Sequence, residues 1–135
     1  AKKSESDLDV ELKDNMEDKE YLDILKFNLN NLNEENFDFI FYIAGVDIHH
    51  EDRLGKLKVT DEGINKRDQI VIENFYSKNI PLCGVLGGGY NKSFDKLIEL
   101  HSMLHKNCAE YFWLVLALDG SNLGTKAKTW DNLKP

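Results

Sequence analysis

The chain has 135 residues, 41% of them apolar and 30% charged, with a formal net charge of -7. Those values describe one soluble globular domain with a modest core, and they exclude a disordered polyelectrolyte. No apolar run approaches the ~18 residues of a membrane helix, and the N-terminal AKKSESDLDVELKD has no apolar stretch of the kind a secretory leader needs. Charge is uneven: residues 1–38 hold twelve acids and five bases, and the remainder holds twelve of each. There is no basic stripe for a nucleic acid, and the acidic third reads as a solvated helix face.

Residues 1–16 are polar and turn-prone. From Glu17 the period becomes helical, with Tyr21, Leu22, Leu25, Leu29 and Leu32 on one stripe. Glu17, Asp18 and Glu20 suit the positive end of the helix dipole, and Asn30, Asn31 and Asn33 are expected to end it. Phe37 to Ala44 is almost continuously apolar, which predicts a strand buried on both faces, as in a parallel sheet. Gly45 turns the chain. Residues 46–59 read as a long polar loop, and such loops in compact domains usually serve function.

Thr60 is a good N-cap for a helix over about 61–77, with Ile64, Arg67, Val71 and Phe75 along one side. Ile80 to Leu86 is a second buried strand, with Pro81 tolerated at its start and Gly87-Gly88-Gly89 at its end. Asn91 or Ser93 caps a third helix carrying Phe94, Leu97, His101, Leu104 and Cys108 on one face. Strand, helix and strand in that order make a βαβ unit. After Tyr111 the pattern changes. The domain is therefore drawn over 1–112, and residues 113–135 have no assignable role.

Two groups stand out. Asp47 follows the first strand and Tyr90 follows the glycine run, and the carboxyl ends of parallel strands are where ligands bind. Taken alone, Asp47 also reads as a polar strand end that caps a loop. The glycine run matches neither GxGxxG nor GxxxxGK[ST], so a phosphate loop is not indicated. His101 and His105 are spaced i, i+4, but no Glu follows His101, so they read as a partly buried helix face. Cys83 and Cys108 have no metal-knuckle or disulfide-framework spacing. A reduced, cytoplasmic compartment is expected.

VELKDNMEDKEYLDIL, FDFIFYIAGVDIHHEDRLGKLKVTDEGINKRDQIV and IPLCGVLGGGYNKSFDKLIELHSML, in that order, resemble the C-terminal part of a zinc-dependent histone deacetylase. The class IV enzymes and their bacterial relatives are the most similar, and the resemblance runs from Val10 to Phe112. It implies an α/β chain, part of the three-layer α/β/α arginase/deacetylase fold on a parallel sheet. It also implies hydrolysis of acyl-lysine or acyl-amine amides with Zn2+. Asp47 would be a zinc ligand, and Tyr90 the catalytic donor to the substrate carbonyl oxygen. Gly88 and Gly89 would line the substrate tunnel. Asp52 and Arg53, from DRLG, would shape the loop through an Asp–Arg contact that keeps Asp47 in register. The chemistry is coherent: zinc polarises an amide carbonyl and acidifies water, while a phenol that stays protonated at neutral pH stabilises the oxyanion.

The family's Asp-x-His ligands and its tandem catalytic histidines lie upstream of the matched motifs, and nothing before Val10 resembles them. His49-His50 occupies a different loop and is not taken as their substitute. Turnover by this chain alone is therefore not expected. The alternative is a non-catalytic remnant. Its open sheet edges would favour a complementary chain or self-association.

Overall fold

The computed structural model of the chain describes residues 6–32 and 37–118. Within them the order is α1 (Asp18–Leu32), β1 (Ile40–Ala44), α2 (Asp61–Tyr76), β2 (Leu82–Leu86) and α3 (Phe94–Leu118). The strands pair in parallel, with Ile40 opposite Leu82 and Ala44 opposite Leu86, so α2 is the crossover of a βαβ unit. Both strands are shorter than the apolar runs that encode them. The first turn of α2 is capped by Thr60, whose Oγ1 accepts the Gly63 N–H at 3.2 Å. The same hydroxyl donates to Asp18 Oδ2 at 2.5 Å, and the Thr60 N–H donates to Asp18 Oδ1 at 2.7 Å. The start of α1 is thereby tied to the start of α2. Asn79, at φ 57°, supplies the left-handed turn that releases the chain towards β2. Of the two candidate caps for α3, Ser93 accepts the Lys96 N–H. That helix continues through the FWLVLAL run to Leu118, and the tail from 119 to 135 lies outside the described residues.

All three helices lie on one face of the sheet. Leu29, Val71 and Phe75 form one buried cluster against Ile40, Tyr42 and Leu82, and Ala44, Ile72 and Leu104 form another. The expected burial of β1 on both faces is not realised. Phe41 is 74% exposed and Ile43 70%, with Phe39 and Val85 also exposed. A continuous apolar run encodes two covered faces, and the described residues provide helices for one of them.

The polar reading of residues 46–59 is also corrected. Val46, Leu57 and Val59 are buried with Met16, Ile64 and Leu100 in a third cluster. Leu57 and Val59 alternate with exposed Lys56, Lys58 and Thr60, the period of an extended segment. Short bridges fix that segment: Lys58 N–H to Met16 O at 2.8 Å and His50 N–H to Val59 O at 2.9 Å. Two charged lysines masked an amphipathic pattern, and Met16, in the segment read as turn-prone, is part of the core.

Candidate active site

The Asp47 turn is built by backbone. Past the end of β1, the N–H groups of Val46 and Asp47 both donate to Gly88 O, at 2.6 and 3.2 Å. The turn that carries the acid is thus locked to the glycine run after β2. Gly88 must lack a side chain, because a Cβ there would lie 2.2 Å from Asp47 Oδ2. Gly55 closes the loop from the other side, where a Cβ would lie 1.7 Å from Asp47 O. Asp47 is half-buried, and among the described residues no donor bonds its carboxylate.

Asp52 and Arg53 meet at Tyr90. Asp52 Oδ2 accepts the Tyr90 N–H at 2.6 Å, while Arg53 Nε donates to Tyr90 O at 3.1 Å. The second Asp52 oxygen accepts the N–H groups of Leu54 and Gly55, each at 2.8 Å. The link between the DRLG acid and base therefore runs through the Tyr90 peptide, and it orders the Tyr90 segment as well as its own loop. Partial burial raises the Asp52 pKa, but the Gly55, Leu54 and Tyr90 N–H groups and the Arg53 charge outweigh it, holding the carboxyl below its usual range. A depressed folded pKa contributes stability above the unfolded value near 3.9, and that stability is lost as pH falls through the folded value. Amide protection of Tyr90 and Gly55 is expected to persist down to about pH 4 and decline below it. Asp52→Asn, which turns an N–H towards a donor, is expected to reduce that protection at pH 7 by about 1–2 kcal/mol. Hydrogen exchange measures both effects, and unchanged protection in the variant would remove Asp52 from the support of this segment.

Beneath the turn lies a buried polar network. Arg67 is 5% exposed and Asp68 0%. Arg67 Nη1 donates to Gly45 O at 2.5 Å, and its Nε donates to Asp68 Oδ1 at 3.0 Å. Tyr42 Oη donates to the same Asp68 oxygen at 2.5 Å. Burial, followed by the Asp68 charge and hydrogen bond, pushes the Tyr42 pKa well above its ordinary value, with Arg67 opposing. Tyr42 is therefore a fixed donor. A cleft of about 300 Å³ opens here, and Asp47, Gly88, Arg67, Tyr21 and Tyr42 are among the residues that line it.

The histidines lie apart from this arrangement. His49 is buried, with Nε2 2.8 Å from Asp61 Oδ1 and Nδ1 accepting the Glu51 N–H at 3.3 Å. That pairing selects the Nε2–H tautomer. Asp61 is also bridged to Lys96, so the ring pins the loop to α2 and α3. His101 packs behind Gly89, and its buried Nδ1 has no partner among the described residues. Burial and then the Arg67 charge lower its pKa, leaving the ring neutral at pH 7.

His49, His50 and Glu51 are the one group of three potential metal ligands among the described residues, with ligand atoms within 4.8 Å of one another. Both His49 nitrogens are already engaged, so this group does not hold a metal without breaking the loop anchor. Asp47, with an unclaimed carboxylate against a glycine cradle, fits a single ligand position. A catalytic zinc needs three protein ligands, and the described residues do not assemble that set.

Of the residues singled out in the sequence, the fold brings Asp47 to Gly88, and Asp52 and Arg53 to Tyr90. Gly89 faces Val46, Leu97 and His101. The roles of Arg67, Asp68 and Tyr42 in holding the turn were missed. The signal was present: an arginine on the apolar side of a helix needs a buried partner, and an aspartate follows it directly.

A model of the histone deacetylase domain matches residues 1–104. An uncharacterized protein of Picosynechococcus sp. is 38% identical over 113 residues, covering 83% of this chain and 38% of that protein. Histone deacetylase 2 of Arabidopsis thaliana is 43% identical over 61 residues, covering 45% of this chain and 16% of that enzyme. The chain thus spans well under half the length of either relative. With an α/β arrangement on a parallel sheet, the Asp47 turn set against the glycine run, and a family match over most of its length, the chain belongs to the histone deacetylase family.

Proposed function

We propose that this chain supplies one wall of a zinc-dependent deacylase site that hydrolyses acyl-lysine or acyl-amine amides. Asp47 is one zinc ligand, and Tyr90 is the hydrogen-bond donor to the oxyanion that develops on the substrate carbonyl. The observation that carries this reading is the Asp47 carboxylate. It has no donor among the described residues and is pressed against Gly88, two residues before Tyr90. A protonated phenol suits the second role, because it donates without needing to ionise. Arg53 and Asp52 hold the Tyr90 backbone on both sides, which limits where its ring can point. In this reading Gly88 and Gly89 border the substrate tunnel through their backbone, since the space at their Cβ positions is taken by Asp47 and by Val46, Leu97 and His101.

This reading assigns one zinc ligand to the described residues, so it requires the remaining part of a deacetylase domain for turnover. Two free cysteines, Cys83 and Cys108, support a reduced, cytoplasmic setting. Among the described residues no helix is long and apolar enough to cross a membrane.

The test is acetyl-lysine peptide turnover and zinc content, measured on the 135-residue chain alone and assembled with the rest of a deacetylase domain. In the assembled form Tyr90→Phe is expected to lower kcat about 10²–10³-fold with KM little changed, as for loss of an oxyanion donor. Asp47→Asn is expected to release zinc. Turnover that survives Tyr90→Phe undiminished would overturn the assignment.

A further inference from the structure

We infer that His49 is the positioning residue of this site: its ring fixes the short backbone path that joins Asp47 to Tyr90, so that the acid and the phenol are held in one frame. The inference rests on the deacylase reading above for what those two residues do, and its test separates the two.

Every polar group of His49 is engaged. Its N–H donates to Val46 O at 3.1 Å, and its carbonyl accepts the Asp52 N–H at 2.9 Å. Val46 precedes Asp47 and shares with it the hydrogen bond to Gly88 O, while Asp52 accepts the Tyr90 N–H at 2.6 Å. The main chain of a single residue thus connects the turn that carries the acid to the contact that holds the Tyr90 backbone. The ring keeps that connection in place. It is 1% exposed, Nδ1 accepts the Glu51 N–H at 3.3 Å, and Nε2 donates to Asp61 Oδ1 at 2.8 Å.

Asp61 is a firm acceptor. It lies in the first turn of α2, and Lys96, in the first turn of α3, bridges its other carboxylate oxygen. Partial burial raises the Asp61 pKa, but the Lys96 and His49 hydrogen bonds outweigh it and hold the carboxyl below its usual range. A hydrogen bond to an ionised acceptor is stronger than one between neutral groups. Burial alone would be met by a leucine at position 49. The imidazole adds a donor aimed at Asp61 and an acceptor for the Glu51 N–H. If the ring is removed, Asp61 still has Lys96, so the link between α2 and α3 survives and the loss falls on the loop between Asp47 and Asp52.

The test compares His49→Gln, which keeps a donor where Nε2 stands, with His49→Asn, which keeps an acceptor where Nδ1 stands and loses the reach to Asp61. Hydrogen exchange of the 135-residue chain reads the amides of Val46, Asp47 and Tyr90 against those of Ile72 and Leu104, which are buried on α2 and α3. His49→Asn is expected to lower protection of the site amides about tenfold relative to the helix amides, as for loss of a hydrogen bond to a charged group. His49→Gln is expected to recover most of that protection. Adding Asp61→Asn to His49→Asn is expected to change the site amides no further, because both remove the same contact. A fall of equal size at every one of these amides, or no recovery with glutamine, would overturn the inference and leave His49 a packed core side chain. In the chain assembled with the rest of a deacetylase domain, His49→Asn is expected to weaken zinc binding about 10–100-fold, as for loss of a group that orients a metal ligand. Zinc released by Asp47→Asn but held undiminished by His49→Asn would overturn the inference and leave the deacylase reading intact. Zinc retained in Asp47→Asn, with the exchange pattern as expected, would overturn the deacylase reading and support the frame that His49 holds.

Discussion

Replacing Arg67 with Met is expected to destabilise the fold by about 3–5 kcal/mol, the range for breaking a buried ion pair from one side. Asp68 is fully buried, and its Oδ1 takes hydrogen bonds from Arg67 Nε and the Tyr42 hydroxyl. Removing the guanidinium leaves the carboxylate with one neutral donor in a low-dielectric interior, and it must either protonate or draw in water. The Gly45 carbonyl loses its donor at the same moment, two residues before Asp47. The pair Arg67→Met with Asp68→Leu removes both charges and is expected to recover most of the loss, since a buried ion pair contributes little relative to a well-packed apolar pair. Urea denaturation of the single and double variants separates these outcomes. A single variant within about 1 kcal/mol of the parent would mean that Asp68 is solvated in solution.

Gly55→Ala and Gly88→Ala are expected to fail in different ways, although both place a methyl group against Asp47. At Gly55 the new Cβ would lie 1.7 Å from the Asp47 carbonyl oxygen, which is backbone and cannot rotate away. The 47–55 loop must open. It carries His49 into the core and leads directly into buried Leu57 and Val59, so a stability loss at the upper end of the ~1–3 kcal/mol range for overpacking is expected. At Gly88 the clash, at 2.2 Å, is with the Asp47 carboxylate, a side-chain end that can swing aside. Stability there is expected to change by less than about 1 kcal/mol, while the carboxylate leaves its cradle and any metal it holds is lost. Denaturation curves together with backbone chemical shifts over residues 45–55 report both. Equal stability losses for the two variants would mean that the carboxylate is as immobile as the backbone.

The local features were readable because they follow from short-range chemistry. Thr60 before Asp61 and Glu62 is a cap followed by anions at a helix N-terminus, and the cap hydrogen bond is where that pattern puts it. The 3.6-residue stripe of Leu22, Leu25 and Leu29 needs only its own helix to be recognised. The extended reading of Phe37–Ala44 and Ile80–Leu86 came from apolar, β-branched and aromatic composition, and their parallel pairing from the helix between them. The AGVD, DRLG and GGGY motifs, in order, identified the family.

What the chain does with residues far apart in sequence was decided by tertiary structure. Composition shows that Asp52, Arg53 and Tyr90 are polar or aromatic. It does not show that two side chains would grip the backbone of a third residue 37 and 38 positions away. His49 read as one of two adjacent histidines, and only packing made it a buried anchor for Asp61, with both nitrogens spoken for. Arg67 read only as one of four residues along a helix side with Ile64, Val71 and Phe75, until the fold set Asp68, Tyr42 and the Gly45 carbonyl around it. The two apolar faces of β1 are equally plain in sequence, and the arrangement of α1, α2 and α3 determined that one is filled and the other bare. Periodicity and capping are set by neighbours within a few residues along the chain. Ion pairing, tautomer choice and the covering of a face depend on which segments meet across the core.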